Sequence, residues 1–429
     1  MAPQNEERAA RLRAQANDPS FENVWQELRW RGLVHVSTDE AALEQALAGE
    51  PVSYYCGFDP TAPSLHLGHL VQLLTLRRLQ LAGHRPYALV GGATGLIGDP
   101  RQTSERVLNS QETVAAWVES LRAQIEPYLS FEGENAATMV NNLDWTAGMS
   151  ALDFLRDVGK NFRVGTMVKK EIVAKRLNSD EGISYTEFSY QVLQGNDFLE
   201  LHRRHGVTLQ TGGSDQWGNI TSGVDLVRRV DQKAAFVLTT PLLTTASGGK
   251  MGKTAQGAIW LNAEQLSPYD YWQFWRNAED ADVGRFMRLF TDLSLEQIAE
   301  YEALEGAAIN DAKKALADAA TTLLHGADEA AKARAAAESN FEKGQLSADL
   351  PTVELPSAEV YGAMIAAVVA KTGLTASNGE ARRLAQGGGL RLNDAAVSDG
   401  AQLLTEADLK DGVIKLAAGK KKIVLVRPV

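Results

Sequence analysis

We predict an α/β protein built on a parallel sheet, followed by an all-α region and a small α+β module. The first observation is that β-rich runs at Val52–Tyr55 and Pro86–Val90 flank a stretch, Leu70–Leu81, whose leucines recur at helical spacing. Strand, helix and strand in this order place the two strands side by side and parallel. The second observation is that strand-like runs stop near Ala263, and the third is that a new series of short runs follows Ser357.

The all-α region follows from composition. Between about Ala263 and Lys343 alanine, glutamate and lysine dominate, as at 311–324 and 329–342, and these are strong helix formers. The stretch from Leu346 to Pro356 contains two prolines and lacks periodicity, which is typical of a linker. The predicted segments are 1–262 for the α/β domain, 263–346 for the helical domain, 347–356 for the linker and 357–429 for the C-terminal domain.

The C-terminal segment is predicted to form a small α+β domain. Ser377 and Glu380 have the spacing of a capping box, and short strands are expected at 390–392 and 423–426. The segment Ser357–Val429 carries ten Lys and Arg against seven Asp and Glu. A solvated helix face and a charged edge strand explain this excess, and contact with nucleic-acid phosphates is the alternative. The candidates for phosphate contacts are Arg382, Arg383, Lys420, Lys421 and Lys422.

Composition limits the class of protein. The chain has 429 residues and a net charge of −11, which argues against nonspecific coating of nucleic acid. The first twenty residues are charged and have no apolar core like that of a signal peptide, and no run of about 18 uncharged apolar residues occurs. The single cysteine, Cys56, excludes internal disulfides and zinc sites built from cysteine pairs. We therefore expect a cytoplasmic protein with no membrane segment and no structural metal.

The loop after the first strand, and the helix that follows it, indicate an anion site. The helix is predicted to open near His66, and a helix start presents unpaired N–H groups and about half a positive charge. Thr61 and the imidazoles of His66 and His69 can donate hydrogen bonds to phosphate oxygens. Gly68 leaves room for a base or a ribose. Taken alone, such a pair of histidines is more often a helix cap and a surface residue.

A second segment, Gly248-Gly249-Lys250-Met251-Gly252-Lys253-Thr254, comes close to a P-loop. The pattern fails because Ser247 occupies the position of the first glycine and because a strand-like run follows in place of a helix. The glycines of Gly92–Gly98 also lack dinucleotide-binding spacing. Lys250, Lys253 and Thr254 remain as flexible hydrogen-bond donors. Binding of a polyphosphate explains both these donors and the anion site.

Four longer stretches extend these two motifs. They are Tyr55-Cys56-Gly57-Phe58-Asp59-Pro60-Thr61, Gly91-Gly92-Ala93-Thr94-Gly95-Leu96-Ile97-Gly98-Asp99-Pro100, Tyr190-Gln191-Val192-Leu193-Gln194 and Gly212-Gly213-Ser214-Asp215-Gln216-Trp217-Gly218-Asn219. With His66-Leu67-Gly68-His69 and Lys250-Met251-Gly252-Lys253-Thr254, they resemble the bacterial tyrosyl-tRNA synthetases of class I. The resemblance covers nearly the whole chain after about Glu22. It implies a Rossmann-like catalytic domain, a helical anticodon-recognition domain and a C-terminal S4-type RNA-binding module.

The resemblance implies that the carboxylate of tyrosine attacks the α-phosphorus of ATP and that a tRNA ribose hydroxyl then takes the tyrosyl group. Because a carboxylate is already a nucleophile, positioning and charge stabilisation must supply the catalysis. ATP with Mg²⁺ is expected as a substrate. The implied catalytic residues are Thr61, His66, His69, Arg106, Lys250, Lys253 and Thr254. The implied ATP contacts are Cys56, Gly57, Asp59, Gly68, Gly212, Asp215 and Lys253. Among them Cys56, Asp215 and the backbone near Gly212, together with His69, match ribose-contacting positions of the family.

Two features qualify this site. The loop from Asp99 to Arg106 is one residue shorter than the commoner form of the family and lacks the lysine usual before Ser104-Glu105-Arg106, for which Arg101 is a candidate substitute. Cys56 is also explained as a small buried hydrophobic residue.

Recognition of tyrosine requires partners for a buried phenolic hydroxyl, and a carboxylate beside another phenol suits it. The resemblance assigns Asp197 and Tyr55 to the phenol, Asp99, Tyr190 and Gln194 to the ammonium, and Gln216 to the neighbourhood of the carboxylate. Tyr190, Gln194 and Asp197 are spaced i, i+4, i+7, so one helix face carries all three. An ordinary buried polar cluster is the alternative.

The implied partners are L-tyrosine, ATP and tRNA(Tyr), and a homodimer formed around 152–185 is expected. Two other interpretations stay open. The first is a tryptophanyl relative or another nucleotidyltransferase of the same superfamily, and the combination of Asp197 with Tyr55 argues for tyrosine instead. The second is an RNA-scaffolding protein of synthetase ancestry, against which the intact signature motifs argue.

Overall fold

The structure is a computed structural model that describes residues 10–101, 104–248, 251, 253–254, 257–342, 351–410, 412–419 and 422–429. By its internal contacts the chain divides into two compact units, Met1–Leu266 with Ala278–Ala320, and Ser267–Asn277 with Thr321–Val429. These units do not coincide with the four segments predicted from the sequence, whose boundaries stay a prediction. None of the helices in the described residues is long and apolar enough to span a membrane.

The strands are numbered β1–β13 in chain order. They are β1 Val36–Ser37, β2 Ser53–Phe58, β3 Arg85–Val90, β4 Thr138–Asn141, β5 Val207–Gly213, β6 Phe236–Thr240, β7 Lys253–Thr254, β8 Gly257–Ala258, β9 Thr352–Leu355, β10 Leu390–Leu392, β11 Ala395–Val397, β12 Ile414–Ala418 and β13 Lys422–Pro428.

The helices from residue 24 onward are numbered α1–α19. They are α1 Val24–Trp30, α2 Glu40–Leu47, α3 Leu67–Leu81, α4 Thr94–Ile97, α5 Gln111–Ile125, α6 Leu143–Thr146, α7 Ala151–Asp153, α8 Val164–Met167, α9 Glu171–Leu177, α10 Tyr185–His205, α11 Trp217–Asp231, α12 Pro268–Arg276, α13 Val283–Phe290, α14 Leu295–Glu302, α15 Ile309–His325, α16 Ala327–Glu342, α17 Ser357–Val360, α18 Ile365–Lys371 and α19 Asn378–Gln386.

The first unit is built on a six-stranded sheet in the order β1-β6-β5-β2-β3-β4. All neighbouring strands are parallel except β1, which runs antiparallel to β6 at the edge. The predicted strand, helix and strand are β2, α3 and β3, so the predicted parallel α/β sheet is confirmed. After β2 the chain builds outward through β3 and β4, and it then returns to β5 on the other side of β2. Ligands bind at such a switch point, beyond the carboxyl ends of β2 and β5.

Helix α10 lines this crevice and is fixed at both ends. Its N-cap, Ser184, accepts a hydrogen bond from the Glu187 N–H, and Gly206 ends the helix in the left-handed region at φ 65°. Its apolar residues join the core around Tyr55, and Phe198 packs edge-on against that ring at a centroid distance of 5.3 Å. The polar positions of the helix are thereby held at fixed points beside β2.

The residues between 263 and 342 form helices α12 to α16 and no strand, as the composition predicts. In the first unit, the buried side chain of Arg31 donates to the carbonyls of Arg288, Thr291 and Leu293, which close the end of α13. In the second unit, α12 buries Tyr271, Trp272 and Trp275, and it packs against α16.

The C-terminal segment folds as a five-stranded sheet in the order β11-β10-β12-β13-β9 with α17 to α19. Ser377 caps α19 by accepting from the Glu380 N–H, and the predicted strands at 390–392 and 423–426 are present. Thr352–Leu355, which we predicted as part of the linker, forms β9 and pairs in parallel with β13. Prolines stand just outside both ends of β9, where they remove no ladder hydrogen bond.

Candidate active site

The end of β2 and the start of α3 carry the first motif. His66 is the N-cap of α3, and its Nδ1 accepts from the Gly68 N–H at 3.1 Å. His69 reaches back, so that its Nδ1 accepts from the His66 N–H at 3.1 Å. The two imidazoles stack with ring centroids 3.9 Å apart. A Cβ on Gly68 would lie 3.0 Å from Cε1 of His66, so glycine is needed for this close packing.

These hydrogen bonds fix the chemistry of both imidazoles. Because each Nδ1 accepts a backbone N–H, each neutral ring carries its proton on Nε2 and can donate from that atom. Desolvation and the neighbouring His66 ring hold the pKa of His69 well below its ordinary value of 6.5. His69 is therefore a neutral donor at physiological pH, beside the N-terminus of a helix that favours anions.

The chain that follows the second motif lies against the first. The Leu67 N–H donates to the Ile259 carbonyl at 3.0 Å, and the Leu261 N–H donates to the Leu65 carbonyl at 2.9 Å. His66 and Trp260 pair as an antiparallel bridge between these two bonds. Lys250 lies outside the described residues and the side chains of Lys253 and Thr254 are not described, but β7 and β8 form the short ladder just before this contact.

Beyond the carboxyl ends of β2 and β3, Asp59 connects two neighbouring elements. Its Oδ2 accepts from the Tyr190 hydroxyl at 2.6 Å, and its Oδ1 accepts from the Thr94 hydroxyl at 2.6 Å. Desolvation raises the pKa of this carboxyl. A Cβ on Gly91 would lie 2.1 Å from Asp59 Oδ1, so the backbone after β3 must be glycine to allow this carboxylate its place.

Asp99 forms a second carboxylate centre at the end of the same loop. Its two oxygens accept from Gln216 Nε2 and Asn219 Nδ2, each at 2.9 Å. Desolvation raises its pKa to about 6, against the lowering effect of these two hydrogen bonds. The Lys170 ammonium donates to the Ser222 hydroxyl at 2.6 Å and to the Gly218 carbonyl. The side-chain amides of Gln216 and Asn219 therefore orient Asp99. Gln216 lies immediately before α11, and Asn219 lies on it.

A third carboxylate, Asp197, lies fully inside the protein. Its Oδ1 accepts from the Trp145 indole N–H at 2.9 Å and its Oδ2 accepts from the Asn142 amide at 3.0 Å. Desolvation raises its pKa to about 7. The hydroxyl of Tyr55 is buried and finds no hydrogen-bond partner among the described residues, and the pKa of Tyr55 is raised well above 10 by desolvation and by the charge of Asp197. A buried phenol without a partner indicates a place for a polar ligand group.

Comparison with known proteins decides the family. The model of the class I tRNA synthetases (W and Y) matches residues 47–342. The chain belongs to this family. The tyrosine--tRNA ligase of Leifsonia xyli subsp. xyli is 56% identical to this synthetase over 96% of each chain. That of Caulobacter vibrioides is 57% identical, over 94% of this chain and 97% of the relative. The resemblance to bacterial tyrosyl-tRNA synthetases inferred from the motifs is therefore confirmed.

The fold leads to the same group. The crystal structure of a C-terminally truncated Aspergillus nidulans mitochondrial tyrosyl-tRNA synthetase superposes with a TM-score of 0.67 and 28% identity, covering 80% of this synthetase and 100% of that chain. A C-terminally truncated Coccidioides posadasii mitochondrial tyrosyl-tRNA synthetase gives 0.64 and 30%, over 77% and 94% of the two chains. Both comparisons support the Rossmann-like catalytic fold.

The structure of this synthetase brings several of the predicted residues into contact with one another. Tyr190, Gln194 and Asp197 lie on α10, and the Gln194 Oε1 is buried without a partner among the described residues. Gln216 reaches Asp99. The Nε of Arg106 donates to the Asp99 carbonyl at 2.6 Å. For Thr61 the structure gives a backbone hydrogen bond to Asp59 at 2.8 Å.

The predicted ribose contacts remain predictions. Cys56 is 2% exposed, its thiol lies 4.0 Å from Gln72 Oε1, and desolvation raises its pKa to about 12. This environment is that of an un-ionised, inert thiol. Asp215 is exposed, and Gly212 packs against Ile220.

Sequence reasoning missed three polar residues of this site. Asn142 is fully buried and donates to both Thr94 and Asp197, and Trp145 supplies the other bond to Asp197. Asn142 thereby joins the Asp59 centre to the Asp197 centre in one hydrogen-bonded network. The third residue is Gln210, which pairs with Tyr55 across β5 and β2 and has a buried Oε1 without a partner among the described residues. Only the position of Asn142 directly after a strand offered a signal.

Proposed function

We propose that this synthetase activates L-tyrosine with ATP, giving tyrosyl-adenylate and pyrophosphate, and then transfers the tyrosyl group to the 3′ end of tRNA(Tyr). The family and the full-length identity to bacterial tyrosine--tRNA ligases place the chain among these enzymes. One observation carries the choice of amino acid. The hydroxyl of Tyr55, which has no hydrogen-bond partner in the described part of the chain, lies in the field of Asp197, whose carboxyl group is already oriented by two donors.

The hydroxyl of the substrate tyrosine supplies a hydrogen-bond partner for Tyr55 and Asp197. A carboxylate has about four lone-pair sites, and Asn142 and Trp145 use two of them. The substrate hydroxyl donates to Asp197 and accepts from Tyr55, so that all three groups are satisfied. Phenylalanine would leave the buried partners unpaired, which costs binding free energy. An indole has its N–H at another position on a larger ring, so tryptophan does not match this slot.

The other end of the slot holds the α-amino acid group. We assign the ammonium to Asp99, Tyr190 and Gln194, with Gln216 beside the substrate carboxylate. The pKa of Asp99, about 6, leaves this group ionised at neutral pH, and the buried Gln194 Oε1 is a free acceptor among the described residues. Tyr190 donates to Asp59, so its hydroxyl oxygen is oriented to accept.

Catalysis of the first step then rests on positioning. The tyrosine carboxylate oxygen attacks the α-phosphorus, the bond to the β-phosphate oxygen breaks, and pyrophosphate leaves with its electrons. We assign charge stabilisation on the leaving phosphates to Nε2–H of His66 at the start of α3, to Thr61, and to Lys250, Lys253, Thr254 and Arg106. Nε2–H of His69 is assigned to the ribose of ATP. The antiparallel contact of 259–261 with 65–67 supports this, since it brings the second motif's segment to the first. Each such donor contributes about 3 kcal/mol in comparable sites.

Mg²⁺ is assigned to ATP. Among the described residues no group of three or more His, Cys, Asp or Glu is arranged to hold a metal ion. We therefore propose that Mg²⁺ arrives with the phosphates of ATP, as is usual for this small, reluctantly dehydrated ion. The contacts of Cys56, Gly57, Asp59, Gly68, Gly212 and Asp215 with the nucleoside part of ATP belong to the same proposal.

The C-terminal segment is proposed to be an S4-type module that contacts tRNA, with the helical region 263–346 recognising the anticodon. Arg382 and Arg383 are exposed on α19, and Lys422 is exposed at the start of β13, whereas Lys420 and Lys421 lie outside the described residues. Exposed cations of this kind bind phosphates in a salt-dependent way. They supply the positive charge that the acidic remainder of the chain lacks.

We further propose a cytoplasmic homodimer. Leu152, Val164 and Tyr185 are 79%, 62% and 69% exposed, and all three lie in or at the edge of the region 152–185. A group of exposed large apolar side chains in one region marks an interaction surface.

The experiment is an ATP–pyrophosphate exchange panel with single amino acids. Exchange with tyrosine, and background rates with tryptophan and phenylalanine, would support the proposal. Exchange with tryptophan in place of tyrosine would replace it by the tryptophanyl alternative. Binding of tRNA without exchange for any amino acid would leave the RNA-scaffolding alternative.

A further inference from the structure

A buried ion pair lies next to the loop that carries Asp99 and Arg106. Arg176, at the end of α9, and Glu187, in the first turn of α10, are 1% and 2% exposed in their side chains, with Arg176 Nη2 2.9 Å from Glu187 Oε2. The two residues come from different helices, and neither takes part in the site described so far. Burial of such a pair costs desolvation free energy that its attraction only roughly offsets. Stability alone therefore does not explain it.

The guanidinium of Arg176 uses its other donors on backbone carbonyls. Its Nη1 donates to the carbonyls of Arg101 at 3.0 Å and Ser104 at 2.9 Å, and its Nε donates to the Gly182 carbonyl at 2.9 Å. One side chain thus ties two points of the loop after Asp99 to the turn before α10. Only a guanidinium presents donors in so wide a fork, and an ammonium does not replace it.

Glu187 holds the far end of the same loop. Its Oε1 accepts from the backbone N–H of Arg106 at 3.0 Å. The Arg106 side chain then turns back, where its Nε donates to the Asp99 carbonyl at 2.6 Å. The Arg106 side chain also packs against Gly98. A Cβ at position 98 would lie only 2.5 Å from Arg106 Cδ. The loop therefore closes on itself, and the ion pair anchors both of its described flanks.

We propose that Arg176 and Glu187 are positioning residues that fix the loop flanks at Arg101, Ser104 and Arg106, and so place Asp99 and Arg106 for amino-acid activation. This rests on the roles assigned to Asp99 and Arg106 in the proposed function. The contacts go to the backbone, so they do not depend on the loop side chains. They fix the described flanks of a loop that is one residue shorter than the commoner form and lacks its lysine.

The chain provides a matched control elsewhere in the first unit. Arg31 and Glu27 are each 1% exposed and 2.7 Å apart, and Arg31 also donates to three backbone carbonyls. Both are buried arginine–glutamate pairs whose guanidinium also holds backbone carbonyls, and Glu27 additionally pairs with Arg78 at 3.1 Å. Only the Arg176–Glu187 pair contacts the loop of the active site.

The test compares Arg176→Lys with Arg31→Lys. Both variants keep the charge and lose the fork, and both are expected to lower the melting temperature. Arg176→Lys should lower the rate of tyrosyl-adenylate formation at saturating tyrosine and ATP by about 10- to 100-fold, the range expected for a small misplacement of reacting groups. Arg31→Lys should leave this rate within about twofold of the wild-type rate, since the backbone segment that Arg31 contacts, 288–293, carries no site residue.

A second readout does not depend on activity. Tryptic cleavage of the native protein after Arg106, followed by mass spectrometry, should be about tenfold faster in Arg176→Lys than in wild type and unchanged in Arg31→Lys, because the former frees the loop flank. If Arg176→Lys does not fold, the double variant Arg176→Met with Glu187→Met removes both charges and takes its place.

Two results would overturn the inference. One is an unchanged adenylation rate and cleavage rate in a folded variant of the Arg176–Glu187 pair. The other is an equal loss of adenylation in Arg31→Lys, which would make the effect one of general stability. If wild-type protein formed no tyrosyl-adenylate, the proposed function would fail, whereas the difference in cleavage rate would still decide whether the pair anchors the loop.

Discussion

The indole N–H of Trp145 donates a hydrogen bond of 2.9 Å to Oδ1 of Asp197, and the sequence separates the two residues by 52 positions. Together with the Asn142 amide, this bond holds the carboxylate plane in one orientation inside the protein. The arrangement leaves lone pairs of Asp197 for a substrate hydroxyl. In the proposed function, the position of this carboxyl group decides which aromatic amino acid is accepted.

Replacing Trp145 by phenylalanine tests this orientation. The ring volume is largely kept, but the donor is lost, and a hydrogen bond to a charged group contributes about 1.5–3 kcal/mol. We expect the dissociation constant of tyrosine to rise by about 10- to 100-fold and the preference for tyrosine over phenylalanine to narrow. Equilibrium dialysis and pyrophosphate exchange with both amino acids measure these effects. Equal weakening of tyrosine and phenylalanine would show that Trp145 only fills space.

The pH dependence of stability tests the burial of Asp197. Its folded-state pKa is raised from 3.8 to about 7 by desolvation, so between these values the folded chain holds a proton that the unfolded chain releases. This contribution to the free energy of unfolding is present at low pH and is lost as pH rises toward about 7, at about 1 kcal/mol per pH unit. We expect the stability of Asp197→Asn relative to wild type to increase as pH rises from about 5 to 7.

Urea unfolding at constant ionic strength measures this difference. Asp180→Asn, at an exposed turn position, is the control and should run parallel to wild type. A constant difference between Asp197→Asn and wild type across this pH range would contradict the assignment.

Much of the fold was accessible from sequence because its signals are local. The strand, helix and strand at 53–90 follow from hydrophobic periodicity, and the face of α10 with Tyr190 and Asp197 follows from helical spacing. The capping role of Ser377 follows from residue type and spacing. The missed strand β9 has alternating exposed and half-buried residues over only four positions, too few to stand out between two prolines.

The rest of the site depends on contacts between distant segments. Asn142 and Trp145 reach Asp197 only because the segment that follows β4 lies against α10 in the folded chain. The proton positions of His66 and His69 depend on backbone geometry at one helix start. Residue types alone do not indicate which distant residues come into contact.

Replacing His66 by asparagine separates its two roles. Asparagine is a good N-cap and can accept from the Gly68 N–H as the imidazole does, but it has no Nε2–H. We expect tyrosyl-adenylate formation to slow by about 100-fold, with tyrosine affinity in the absence of ATP and the melting temperature nearly unchanged. His66→Ala should also lose the cap, at about 1 kcal/mol of stability. Wild-type rates in His66→Asn would remove His66 from phosphate binding.

Tyrosine affinity should depend on pH through Asp99. Desolvation raises the pKa of this carboxyl to about 6, and the ammonium of tyrosine binds only its ionised form strongly. The affinity is therefore complete above about pH 7 and is lost as pH falls through 6, which predicts about a tenfold rise in the dissociation constant near pH 5. Equilibrium dialysis across pH 5–8 measures it. 3-(4-Hydroxyphenyl)propionate keeps the phenol and the carboxylate but has no ammonium, so its affinity follows the titration of Asp197, whose pKa is about 7, but not that of Asp99. The ratio of the two dissociation constants isolates Asp99 and should change by about tenfold through this step. If both ligands lost affinity in parallel, the titrating group would be one that faces the phenol, and Asp99 would not be the partner of the ammonium.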